Sequence, residues 1–276
     1  MSTVNTTTRP QDDDTFRAKT LRGLLLAREL DQARRARGFS TRDLAQAMSM
    51  SPAMVNRVMT GRRVPTALEI GGLCAVLDVP AARRPLLYER RATADRTEWI
   101  IHPGRGRTIV HDVEAIADAI TWFASDLIPQ PLRTAAYHRA VEQSTDHTPG
   151  ADPPPAHQAE QAALRISRFL LHPRVLRHPA FTGEVLRDQL HHLLDVHLPR
   201  IRLLPGSTAA HPGFRVLTVG HFPPIVHIEQ LGTDLLLENP TATTRHAEFL
   251  RHLDATALTT PATRDTLRHL LTTARG

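Results

Sequence analysis

From Lys19 onward the apolar positions recur at helical spacing. Leu26, Leu30 and Ala33 fall four and three residues apart, one face of a helix that Gly38 ends. Ser40 opens a second helix as its N-cap, with Asp43 three residues on and Leu44, Ala45 and Met48 facing inward. After Ser49-Met50, Ser51 caps a third helix with Pro52 in its first turn. Val55, Val58 and Met59 point inward there, which leaves Ala53, Met54, Asn56 and Arg57 on the outer face. Gly61 ends this helix. Thr66 caps a fourth, with Ile70, Leu73 and Leu77 on one face, and a fifth helical stretch runs over 81–92. Residues 1–15 have no periodicity and are expected to be disordered.

Past residue 92 the pattern changes. Residues 92–107, ending in Pro103-Gly104-Arg105-Gly106-Arg107, read as a basic loop. Residues 110–126 read as a helix with Val113, Ile116, Ala117, Ile120 and Phe123 on one face. Further helices are predicted over Thr134–Glu142, Ala159–Leu171 and Thr182–Val196, with an exposed proline-rich loop at 143–157. Ile201–Leu204, Phe214–Val219, Ile225–Gln230 and Leu235–Leu237 are short apolar runs between turn residues, the signature of an antiparallel meander. Helices follow near Arg245–Asp254 and Thr263–Thr273. The predicted class is mainly α with an α+β C-terminal domain: a five-helix N-terminal domain, then helices around a small antiparallel sheet. The expected division is a tail 1–15, a helical domain 16–92, a linker 93–109 and an α+β domain 110–276.

Charge sharpens this division. Residues 16–91 hold 15 Lys+Arg against 6 Asp+Glu, whereas residues 108–276 hold 15 against 17. A small domain so basic works against its own repulsion and points to a polyanion. All 16 histidines lie at or after His102, and Lys19 is the one lysine among 34 basic residues. Arginine is the better partner for phosphate and guanine. Cys74 is the sole cysteine, so no disulfide can form within the chain. It lies on the inner face of the fourth helix and reads as a buried, inert thiol. No apolar run approaches a membrane span, and the N-terminus has no secretory apolar core. A cytoplasmic, nucleoid-associated protein is expected.

Two short helices joined by a tight turn, the second capped and carrying small residues at its start, form a helix-turn-helix pattern. The second must enter the major groove by its first turn, so Ser51, Ala53, Met54, Asn56 and Arg57 are candidate contacts. Asn56 suits adenine and Arg57 suits guanine or a phosphate. Thr41, Arg42, Arg62 and Arg63 would flank it on backbone phosphates. The stretch from Leu21 to Leu87, with Gly38-Phe39-Ser40-Thr41, Ser51-Pro52, Val55-Asn56-Arg57 and Gly61-Arg62-Arg63-Val64-Pro65, resembles the lambda-repressor-like helix-turn-helix domain of the xenobiotic-response-element type. It departs from the family's pattern at Thr41, where a Gln is usual, at Asn56 for Ser and at Met59 for Glu. The resemblance implies a transcriptional regulator that binds double-stranded operator DNA as a homodimer.

The C-terminal part carries Glu114-x-x-Ala117, Leu127-Ile128-Pro129, Thr134-x-x-Tyr137, Arg165-x-x-Arg168, Gln189-Leu190, Leu203-Leu204-Pro205, His211-Pro212-Gly213 and Glu229. In these it resembles the domain that follows such helix-turn-helices in actinobacterial antitoxin-like regulators. That resemblance implies a repressor whose C-terminal domain binds a small protein from a neighbouring gene or a small-molecule effector. Trp122, Phe123, Tyr137 and Glu229 are the candidate contacts, although the three aromatic residues read first as core and only second as pocket lining.

No nucleophile elbow, phosphate loop, His-Glu-x-x-His or dinucleotide fingerprint occurs. His191, His192, Asp195 and His197 come nearest to a metal cluster but read as surface or half-buried histidines. Glu114 and Glu229 read as structural acceptors or ligand contacts, not an acid–base pair. The expectation is therefore no enzyme, no cofactor and no metal. The alternatives are an interaction protein that sequesters a small partner and, further off, a hydrolytic C-terminal domain.

Overall fold

The computed structural model describes residues 18–101, 106–144, 164–177, 183–209, 211–230 and 233–273. The predicted tail 1–15 lies outside the described residues, as do 102–105 of the predicted linker and the expected proline-rich loop from 145 on. The chain forms two compact units, Met1–Thr97 and Glu98–Gly276.

The first unit contains α1 (Leu21–Ala36), α2 (Thr41–Ala47), α3 (Pro52–Met59), α4 (Ala67–Val76) and α5 (Arg84–Ala92). Side chains start the helices. Thr20, Ser40, Ser51 and Thr66 each accept a hydrogen bond from the third backbone N–H on, and Asp43 and Glu69 complete capping boxes. Thr20 also donates to the Ala94 carbonyl, which ties the start of α1 to the turn after α5. Left-handed residues stop the helices. At Gly38 (φ 71°) the Gly38 and Phe39 N–H groups bond back to Arg35 and Arg34. The same closure recurs at Ser49 (φ 51°), where Ser49 and Met50 bond back to Gln46 and Ala45, and at Asp78 (φ 51°). The core is one cluster, with Leu26 and Leu30 of α1, Leu44 of α2, Val55 and Val58 of α3, Ile70 and Leu73 of α4, and Leu87 of α5. Cys74 is buried in it.

The second unit is built on a seven-stranded mixed sheet of order β1-β7-β6-β5-β2-β3-β4. Its strands are β1 (Glu98–Ile101), β2 (Ala119–Ala124), β3 (Ser167–Leu171), β4 (Ile201–Leu203), β5 (Phe214–Thr218), β6 (Ile225–Gln230) and β7 (Thr233–Leu237). Its helices are α6 (Gly106–Ile116), α7 (Ala135–Ser144), α8 (Gly183–His192), α9 (Pro240–Thr256) and α10 (Thr260–Thr273). Strands β2, β3 and β4 run parallel, so α7 and α8 lie within the crossovers that parallel pairing demands. All other pairings are antiparallel.

Pleating divides the side chains between two cores. Ala124, Phe169, Leu171, Ile201 and Leu203 pack with Tyr137, Leu190 and Leu267 of α7, α8 and α10. On the opposite face Phe123, Leu170, Phe214 and Val226 pack with Leu250 and Leu253 of α9.

The sheet corrects four expectations. The predicted helix 110–126 ends at Ile116, and 119–124 is a central strand. Ile120 and Phe123, which would share a helical face, point to opposite sides of the sheet and are both buried. The predicted helix Ala159–Leu171 contains β3 instead; Phe169, Leu170 and Leu171 are buried in succession, as in a parallel strand covered on both faces. The expected loop 92–107 contains β1, which pairs with β7. Finally, Ile201–Leu203 is not part of the meander: it pairs parallel with β3, so the sheet is larger than the small antiparallel one expected.

A β-carbon is strained at Ser49. Ser49→Gly is expected to stabilise the first unit by roughly 1 kcal/mol, read as a higher urea midpoint at unchanged m-value.

Candidate functional site

Two places concentrate exposed chemistry, one on each unit. On the first, α3 lies exposed along the face carrying Ala53, Met54, Asn56 and Arg57, while Val55, Val58 and Met59 anchor it from below. The Ser51 hydroxyl accepts from the Met54 N–H at 3.2 Å, which leaves its own proton free to donate outward. Thr41 is half-buried and Arg42 exposed at the first turn of α2.

Several basic residues away from α3 are paired with acids within the bundle. Asp31 holds Arg34 and Arg35, and Glu29 holds Arg83 and Arg90 at 2.6 and 2.8 Å. Among the described residues Arg42, Arg57 and Arg62, on α2, on α3 and just past it, make no ion pair; Arg84 and Arg91 of α5 are likewise without an acid and donate to the Val79 and Pro65 carbonyls. Arg63, expected on a backbone phosphate, is paired within the unit. Its Nη2 donates to both oxygens of Glu69 at 2.9 Å, and its Nη1 is buried. Burial alone would raise the Glu69 pKa, but Arg63 and the Thr66 donors outweigh it and hold the carboxyl below its ordinary value.

On the second unit, Phe169, Trp122, Arg215 and His227 are successive cross-strand neighbours on β3, β2, β5 and β6. Arg215 is buried, and its guanidinium is held from three directions. It lies over the Trp122 ring at 4.2 Å from the centroid, Nε donates to His227 Nδ1 at 2.8 Å, and Nη1 donates to Glu114 Oε1 on α6. His111 Nδ1 meets the other Glu114 oxygen at 2.9 Å. Burial opposes ionisation of Glu114, yet Arg215 and His111 more than compensate and its pKa lies below the usual value. Burial, then Arg215, lowers the His227 pKa. Because Nδ1 accepts from Arg215, neutral His227 carries its proton on Nε2, 3.4 Å from Asp234 Oδ1.

This row floors a cavity of about 120 Å³ between α6, β6 and β7. The cavity shares Trp122, Gln130, Arg215, His227 and Glu229 with a compartment of about 330 Å³ that continues past Phe123 and Phe214.

Comparison with known families falls on the same two places. Residues 108–269 match the family described as a domain of unknown function (DUF5753), more than half of the chain. The chain belongs to this family. Residues 25–87 match a helix-turn-helix domain, so α2 and α3 are the helix-turn-helix pair. No curated protein matches. Among solved structures the chain is similar to the clp gene regulator ClgR from C. glutamicum, with 21% identity, a TM-score of 0.23, and 28% of this chain and 95% of that one covered.

Within the DUF5753 domain the structure brings Trp122, Phe123 and Glu229 to one cavity. Tyr137 is corrected to the core: it is fully buried among Ile128, Phe169 and Leu190, and its hydroxyl accepts from the Ile128 N–H at 3.3 Å. Sequence reasoning missed Arg215, His111 and Asp234. The signal for the first was a charged residue inside the apolar run Phe214–Leu217.

The histidine-rich segment contains one close pair, His192 Nε2 and His197 Nε2 at 3.1 Å. Among the described residues no three His, Cys, Asp or Glu are placed to hold a metal ion, and no helix is long and apolar enough to cross a membrane.

Two outcomes are expected. Arg215→Met leaves Glu114 buried without its cation, so the second unit should lose about 3 kcal/mol or more at neutral pH by chemical denaturation. The loss should shrink in acid: a depressed carboxyl pKa stabilises fully above the unfolded value and fades as pH falls through the folded one. His197 behaves differently, because burial, His192 and Arg200 lower its pKa from 6.5 to about 4. The unfolded histidine therefore takes up a proton that the folded one refuses, and stability should fall between pH 6.5 and about 4. His197→Gln should flatten that part of a plot of unfolding midpoint against pH.

Proposed function

We propose that this chain is a sequence-specific transcriptional regulator, a repressor that binds its operator as a homodimer and whose DUF5753 domain receives the regulating signal. The observation that carries the reading is the coincidence of the exposed α3 face with the unmatched cations Arg42, Arg57 and Arg62. Seated in the major groove, Asn56 pairs with adenine and Arg57 with guanine, while Ala53 and Met54 offer apolar contact to thymine methyls. Thr41, Arg42, Ser51 and Arg62 take phosphates and fix the register. Arg63, clamped to Glu69, sets the turn after α3 and flanks the same backbone.

One recognition helix reads few base pairs, so two copies on a two-fold operator supply the rest, with half-sites about 34 Å apart. Repression follows from occupying duplex that the polymerase needs. The antitoxin-like role belongs to the same proposal: a small protein encoded nearby, or a small molecule, binds the C-terminal domain and shifts the operator equilibrium. The shift requires unequal affinity for the free and DNA-bound states. The cavity over Arg215 favours the small molecule.

Footprinting on the DNA upstream of its own gene, repeated over a salt series, tests this reading. Affinity should fall steeply with salt. Arg57→Ala should cost about 1–3 kcal/mol and relax base preference at one position. Arg62→Ala should weaken every duplex alike and lower the salt slope by about 1. Salt-independent binding, or an unaltered footprint in Arg57→Ala, overturns the proposal.

A further inference from the structure

We propose that the acidic run Asp12-Asp13-Asp14 covers the free cations at the end of α3 in the absence of DNA, so that a duplex must displace the chain's own N-terminal segment in order to bind. The inference rests on the DNA-binding part of the function proposed above and adds an internal competitor to it.

The root of that segment is fixed beside the recognition helix. Residues 1–17 lie outside the described residues, and the described chain starts at Ala18. Ala18 is 4% exposed and packs on Gly61, just past the end of α3. A β-carbon on Gly61 would sit 2.8 Å from that of Ala18, and Gly61 has φ 73°, so only glycine admits this approach. Arg62 follows Gly61 directly. Arg57 lies four residues before it, about 6 Å along the helix axis. Both are exposed, as is Lys19 next to Ala18, and among the described residues none of the three makes an ion pair. Arg34, Arg35, Arg63, Arg83 and Arg90, by contrast, are held by acids.

The segment that starts from this root carries the opposite charge. Residues 10–16 hold three aspartates and no base; Arg9 and Arg17 bound the run without interrupting it. Asp14 is four residues from Ala18 and Asp12 six, reaches of at most about 14 and 20 Å. Arg57, Arg62 and Lys19 all fall within that span of the root. Successive carboxylates offer guanidinium groups the same charge-assisted bonds that successive phosphates offer. A tether this short holds them at an effective concentration in the millimolar range, which a duplex in solution has to exceed. Arginines left without an acid of their own inside the bundle are thus within reach of three that the bundle does not use.

Anisotropy titrations of the full chain with a short labelled duplex of arbitrary sequence test the competition. Asp12→Asn, Asp13→Asn and Asp14→Asn together should tighten binding about tenfold at low salt, the factor expected when the segment covers the face about nine-tenths of the time. The gap should narrow as salt rises and screens the contact. Lost repulsion at a distance would tighten binding too, so the contact is also read directly. Cys74 is buried, so a spin label on Gln11→Cys marks the segment alone. In the DNA-free chain the label should broaden the amide signals of Arg57 and Arg62, and either the three Asn substitutions or saturating duplex should relieve that broadening. Unchanged affinity in the triple variant overturns the proposal. So does tighter binding with no broadening at Arg57 and Arg62, or with broadening that the triple variant leaves unaltered. The two readings fail separately: a chain that takes no duplex in either form loses the regulator, while broadening relieved by the Asn substitutions keeps the contact.

Discussion

A buried guanidinium sets the terms for the second unit. A charge removed from water is tolerated only when its neighbours replace what water gave. For Arg215 they do so from three directions at once: a ring face from β2, an imidazole nitrogen from β6 and a carboxylate from α6. Each of these comes from a different element, so satisfying one side chain fixes the spacing of two strand pairs and the seat of a helix. The same bonds decide which His227 nitrogen carries the proton and which cavity atoms lack a partner. The cavity is thus a by-product of how one charge is housed.

The first unit solves the opposite problem. It carries too many cations to bury and keeps them on the surface, with acids placed wherever an arginine would disturb the bundle. Glu29, Asp31 and Glu69 each serve more than one donor, and Glu69 also closes the capping box of α4. Arg42, Arg57 and Arg62, which remain unmatched, lie on α2, on α3 and just past it. The Glu29–Arg90 and Asp31–Arg34 pairs lie largely out of water, where losing one partner would strand the other's charge. These pairs also decide which arginines stay available.

The helical unit was legible because its cues are local. Caps at Ser40, Ser51 and Thr66, stops at Gly38 and Gly61 and the 3–4 spacing of apolar residues each lie within a few positions of what they specify. The sheet was less legible because its cues are shared with helices. Ile120 and Phe123 satisfy a helical period and a buried strand equally well, and only the neighbours on β3 and β5, some fifty and ninety residues away, choose between them. Trp122, Phe123 and Glu229 were found as separate residues. Their common cavity depends on strand register, and so do Arg215 and Asp234. Nothing near Arg63 in the sequence announces that Glu69 will claim it.

The edge of the sheet has one more consequence. The chain leaves the helix-turn-helix unit and enters the second unit as β1, zipped to β7 with Ile101 opposite Asp234. The wall of the cavity is therefore also the strand that grips the tether of the DNA-reading half.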